Sequence, residues 1–183
     1  MNYLIKPDYL KHIQSDNLTV ITDGNDAYLD ECEAIAIEEI KSYISSRYDV
    51  ETIFADIPEF DVLLSYAIGN FVTYLDVIYK CNVATTPGNL PTDTNFWSAT
   101  DERSAKMVSI VVDLSLYHLH SRINPRNIPD LRGIRRDDAV RWLTETRDLK
   151  NNPSFLPVLD ANADGVDGLK IKWGSNDIAI NSY

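Results

Sequence analysis

Three long stretches of this chain repeat apolar residues at the 3.6-residue spacing of a helix, and that repetition limits the fold more than any other feature. Over residues 27–46, Leu29, Cys32, Ala36, Ile40, Tyr43 and Ile44 fall on one side, with Asp30, Glu31, Glu38 and Lys41 mostly off it. Acids crowd the first turns, where they suit the helix dipole. Over residues 61–81, Leu63, Ala67, Phe71, Leu75 and Ile78 make a continuous stripe widened by Tyr66 and Tyr74, which predicts the central helix. A third helix is expected over residues 101–121, with Ala105, Val108, Val112, Leu116 and Leu119 inward. The expected fold is mainly α, a small helical bundle.

Shorter signals fill the gaps. Pro7-Asp8 followed by Tyr9, Leu10 and Ile13 reads as a short opening helix with proline in its first turn. Leu18 to Ile21 is a brief apolar stretch, followed by the turn Thr22-Asp23-Gly24-Asn25-Asp26. Residues 47–59 read as irregular, and 82–99, with Pro87-Gly88 and Pro91, as a loop. Asp137-Asp138 opens a shorter helix containing Ala139, Val140, Trp142, Leu143 and Leu149. The texture changes after Pro153, where Asn, Asp and Gly dominate. The division is a helical domain over residues 1–152 and a long C-terminal docking arm over 153–183. Alternation at Lys170-Ile171-Lys172-Trp173 gives the arm some strand character.

The stretch 62–81 is long enough to raise a membrane span, but Asn70, Asp76 and Lys80 interrupt it, and a mid-bilayer charge costs about 2.5–3.5 kcal/mol. A buried bundle helix is the better reading. The N-terminus lacks the cationic and apolar regions of a signal peptide. Cys32 and Cys81 sit within apolar patterns and read as reduced core thiols.

The formal charge of −11 is uneven. Residues 1–102 hold 18 acids and 5 bases, whereas residues 103–150 hold 6 acids and 10 bases. Seven of the nine arginines fall between Arg122 and Arg147. An acidic body with one basic segment argues against a free-standing nucleic-acid binder. The arginines read either as a salt-bridged surface or as an interface, since arginine is favoured in bidentate carboxylate pairs and at protein contacts. On the second reading Arg126, Arg132, Arg135 and Arg136 meet the acidic face of an identical neighbour, a heterologous contact that closes into a ring.

Chemical motifs are few. Asp160-Ala161-Asn162-Ala163-Asp164-Gly165 matches the opening of a helix–loop–helix calcium loop, yet its twelfth position is Ile171 where a bidentate Glu is required. His118 and His120 are two residues apart on a helix and point away from one another. No phosphate-binding Gly-Lys loop or Gly-x-Ser-x-Gly elbow occurs. The expectation is a non-enzyme without cofactor, catalytic residues or metal site.

The first fifty residues resemble a family of Mu-like prophage and tailed-phage proteins that act in head completion or head–tail connection. Tyr3-Leu4, Pro7-Asp8-Tyr9-Leu10, Leu18, Ile21-Thr22-Asp23, and Ala36 and Ile40 leading to Tyr43-Ile44-Ser45-Ser46-Arg47-Tyr48 carry the resemblance. It extends more loosely to about residue 150. In that family a proline follows the Arg-Tyr pair closely, whereas here Asp49-Val50-Glu51 follows and the nearest proline is Pro58. The resemblance implies a head–tail connector ring in the virion, made in the host cytoplasm and twelve-fold by family analogy. It implies the portal and the tail or next connector as partners, with DNA passing through unbound and no membrane. Ile171, Trp173, Asn176 and Tyr183 are the expected contacts of the arm. The alternative is an acidic regulatory or inhibitor protein that binds a basic partner.

Overall fold

The computed structural model describes residues 3–123, 126 and 128–159. Its helices are α1 (Lys6–Leu10), α2 (Ser15–Thr22), α3 (Ala27–Ile44), α4 (Val50–Ile53), α5 (Ala105–Ile123) and α6 (Asp130–Arg147). Between α4 and α5 lie three strands, β1 (Phe71–Tyr74), β2 (Val77–Cys81) and β3 (Trp97–Ala99). They form one antiparallel sheet in the order β1-β2-β3. The architecture is therefore a helical body with a small sheet inserted before its last two helices.

The body forms because two of the periodic segments fold as helices, over Ala27–Ile44 and Ala105–Ile123, the second starting four residues after the Asp101 expected to open it. Helices α3, α5 and α6 pack against one another, and α1 and α2 lie on α5. Ala36, Ile37, Ile40 and Ile44 of α3 are buried with Val111, Leu114, Leu116 and Leu119 of α5 and Leu143 of α6. Each fully buried aliphatic side chain stabilises by about 1.5–3 kcal/mol, so this interior holds the fold. Val108, Val112, Leu116 and Leu119 are buried as expected, while Ala105 is exposed.

The largest correction concerns residues 61–81, which do not form a helix. Leu63 and Leu75, placed inward by the helical reading, are each 77% exposed, and Ala67 is exposed too. The chain instead loops through 61–70 and enters a hairpin, with Tyr74 opposite Val77 and Val72 opposite Tyr79. Leu75 and Asp76 make the two-residue turn at φ of 51° and 60°. Left-handed geometry at both positions matches the twist of the flanking strands. Val72, Thr73, Tyr74, Val77, Ile78 and Tyr79 are β-branched or aromatic, types that suit a pleated surface.

The sheet has its own core. Tyr66, Val72, Cys81 and Trp97 are buried together, with Phe60 packed against them. Phe60 stacks on Tyr66 at 5.5 Å, and Tyr66 meets Trp97 edge-on at 5.3 Å. Residues 58–60 flank β1: Thr73 donates its N–H to the Pro58 carbonyl and Phe60 donates to the Thr73 carbonyl, both at 2.9 Å. Cys32 and Cys81 are both buried free thiols, Cys81 in a strand and not a helix.

Smaller corrections follow the same logic. The apolar stretch at Leu18 is the helix α2, which ends where Asp23 adopts φ of 52°. The irregular segment 47–59 contains α4, capped by Asp49, whose carboxylate accepts the Thr52 N–H at 3.1 Å. The loop 82–99 ends in β3, and α6 begins at Asp130, seven residues before the Asp137 expected. No helix among the described residues is long and apolar enough to cross a membrane.

Beyond α6 the described chain stays on the body. Asn152 accepts a hydrogen bond from Arg47 at 2.9 Å, Phe155 stacks on Trp142, and Leu156 is buried in the core. Val158 bridges Tyr48, and Leu159 donates its N–H to the Arg47 carbonyl at 2.7 Å.

Candidate functional site

Two surfaces qualify, the arginine-bearing face of α6 and a cleft between the helical body and the sheet. The arginines expected at a partner contact divide into two groups. Arg132, which is buried, and Arg135, which is partly exposed, join a knot that ties α6 to α5 and to the turn after α1. Arg132 donates to the His12 carbonyl at 3.0 Å. Arg135 lies 3.0 Å from His12 Nδ1 and 3.3 Å from Asp113, and Asp113 lies 2.8 Å from the same His12 nitrogen. Burial and the neighbouring Arg135 charge push the Arg132 pKa down.

Arg136 is partly exposed, pairs with Asp137 at 3.2 Å, and lies over the Tyr117 ring. Arg126 is exposed in the turn between α5 and α6. Farther along, Arg141 pairs with Asp138 at 2.6 Å and Arg147 with Asp148 at 2.9 Å. Arg122 pairs with Glu31 and lies 3.6 Å from the Tyr28 ring centroid. Most of this arginine segment thus bonds to carboxylates and rings of its own chain. Arg132 and Arg135 act there as internal ties.

Sequence reasoning missed an apolar stripe on the same helix. Leu131 and Ile134 are exposed, and Asp138 and Arg141 continue the row at helical spacing. The signal was present, but α6 was read as starting only at Asp137. Ile171, Trp173, Asn176 and Tyr183, and the calcium-like turn at 160–165, lie outside the described residues.

The cleft has a volume of about 720 Å³, within the roughly 300–1,000 Å³ range of ligand sites. Ile57, Tyr66, Phe71, Ile78 and Leu156 supply apolar lining from the sheet, the chain after α4 and the C-terminal segment. Asp56, Asp101, Glu102 and Arg103 supply the charges. Arg103 is committed to Asp8 at 2.9 Å and Asp101 at 2.8 Å, and also donates to the Tyr3 carbonyl. Desolvation opposes ionisation of Asp101, but the Arg103 bonds outweigh it and hold the carboxyl below its ordinary range.

Tyr3, which lines the cleft, is fixed from behind by Glu33. One oxygen of this buried carboxylate accepts the N–H of Tyr3 at 2.7 Å and of Leu4 at 3.1 Å. Burial raises the Glu33 pKa to about 7, against the lowering effect of those two bonds. Among the described residues no group of three or more His, Cys, Asp or Glu is placed to hold a metal ion. His118 meets Glu39 at 2.9 Å, whereas His120 turns to the Leu116 carbonyl.

Comparison of the chain with protein-family models, curated proteins and solved structures finds no match.

Proposed function

We propose that this chain is a non-enzymatic adaptor of a tailed-phage virion, assembling as a ring between portal and tail. The observation that carries this reading is where the residues that bear the family resemblance sit. Tyr3, Leu4, Tyr9, Leu18, Ala36, Ile40, Ile44 and Tyr48 are all buried in one core. The resemblance thus includes much of the interior that organises α1, α2 and α3, together with the exposed Leu10, Asp23, Ser45 and Ser46.

Charge supports the same role. A ring that passes DNA must not grip it, and an acidic wall repels phosphates where a basic one would bind them. The subunit contact is assigned to the exposed stripe of α6, with Leu131 and Ile134 as apolar anchors and Arg141 on the same row. Aromatic, apolar and arginine side chains are the types that protein contacts favour. Formation of the ring exchanges the Arg141–Asp138 pair for a carboxylate of the neighbouring subunit. Genome DNA passes through without specific recognition, and the arm residues Ile171, Trp173, Asn176 and Tyr183 contact neighbouring virion proteins.

Mass photometry of the full chain over a concentration series tests the assembly. The expected result is a closed oligomer that Ile134→Asp with Arg141→Glu returns to monomer, without change in circular dichroism. A monomer at every concentration, alone and with a tailed-phage portal protein, would instead favour the acidic regulatory protein.

A further inference from the structure

A subunit contact through α6 needs a receiving face on the neighbour, and the sheet offers one at the end where its hairpin turns. Residues 58–60 run parallel to β1, with Glu59 bridging Thr73, and the Phe60 and Tyr74 rings meet edge-on at 5.6 Å. The residues that follow each ring, Asp61 to Leu64 and Leu75-Asp76, therefore leave the sheet at the same end. Val62, Leu63, Leu64 and Leu75 are all exposed there, and so are Asp61 and Asp76. Large apolar side chains exposed together and rimmed by charge mark a protein contact.

The charge of this end is uncompensated. Between Arg47 and Arg103 the sequence holds a single base, Lys80. It sits at the other end of the hairpin, opposite Phe71, and pairs with Glu102. Asp61 accepts the Leu63 N–H at 2.8 Å, and among the described residues neither Asp61 nor Asp76 has a cationic partner. A fitting occupant is therefore apolar and basic.

The same chain carries such a surface. Ile123, Leu131 and Ile134 are exposed where α5 gives way to α6. Arg126, in the turn between those helices, is exposed and has no carboxylate partner among the described residues. Both surfaces are exposed in one chain, so they do not cover each other. We propose that the hairpin end of one subunit docks on the α5–α6 corner of a second copy. Leu63 and Leu75 lie against Leu131 and Ile134, and Asp61 and Asp76 face Arg126 and Arg141. Arg141 gives up an exposed pair with Asp138, which costs little. The inference rests on the assembly proposed above and names its other half. A contact of this head-to-tail kind between identical copies closes into a ring.

Mass photometry of the full chain with two variants tests this. Leu63→Asp/Leu75→Asp at the hairpin end and Ile134→Asp at the corner should each raise the concentration of half-assembly at least about tenfold. Circular dichroism and the urea melt of the dissociated subunit should not change. Mixed in equal amounts, the two variants retain one intact contact, between the parent corner of the first and the parent hairpin end of the second. They should form a species of twice the monomer mass and nothing larger. Assembly of the hairpin variant at parent concentrations would overturn the proposal and leave the ring standing, and a mixture that stays monomeric would do the same. A parent that is monomeric at every concentration, alone and with a tailed-phage portal protein, would overturn both the contact and the ring.

Discussion

Replacing Glu33 with Gln should make the protein more stable at neutral and alkaline pH than the parent, by an amount that grows between about pH 5 and pH 8. Glu33 is 3% exposed, and its carboxyl titrates near 7 in the fold against 4.5 for the ordinary group. A carboxyl whose folded pKa is raised binds its proton more tightly folded than unfolded, so stability falls as pH rises through that interval. The contribution is fully present below about pH 4.5 and lost once pH passes about 7. The difference between the two pKa values corresponds to about 3 kcal/mol at 1.36 kcal/mol per unit. Gln keeps the oxygen that accepts the Tyr3 and Leu4 N–H groups and cannot ionise. Urea melts of parent and Glu33→Gln at pH 5, 6, 7 and 8 should converge at the acid end and separate by up to about 3 kcal/mol at pH 8. Glu33→Ala leaves both N–H groups without their acceptor and should lose about 1–3 kcal/mol even at pH 5. A constant difference between Gln and parent across this range would refute the reasoning, because it would mean that Glu33 does not titrate within it.

Two further substitutions probe the fold. Leu63→Ser with Leu75→Ser should change stability by less than about 0.5 kcal/mol in a urea melt, the range for exposed sites; a helical core there would lose several times that. Asp113→Asn removes the carboxylate that faces Arg135 and His12, and should cost about 1.5–3 kcal/mol by the same assay, the range for hydrogen bonds to charged groups.

Helices α3 and α5 were legible because their apolar spacing has no other reading over eighteen residues, whereas α2, α4 and the first two turns of α6 are too short or too polar to show it. The segment around the hairpin was not, since its apolar residues match both a period of 3.6 and a period of 2. What decides it is the density of β-branched and aromatic types from Val72 to Tyr79, and a turn at Leu75-Asp76 that lacks the glycine of a familiar hairpin signal. Arg132 and Arg135 were legible as part of a charge segment but not as internal ties. Their partners, His12 and Asp113, are more than twenty residues away in sequence from Arg135. Glu33 was hidden for a similar reason. Its charge placed it among solvated acids, and only the fold brings the Tyr3 and Leu4 backbone to it.

The proposed adaptor role is tested most directly by electron microscopy of the purified chain mixed with a tailed-phage portal protein. A ring of this chain stacked coaxially on the portal, with an open central channel and α6 at the subunit contacts, is the expected image. Portal rings without added density, while the chain remains folded and monomeric in the same sample, would contradict it.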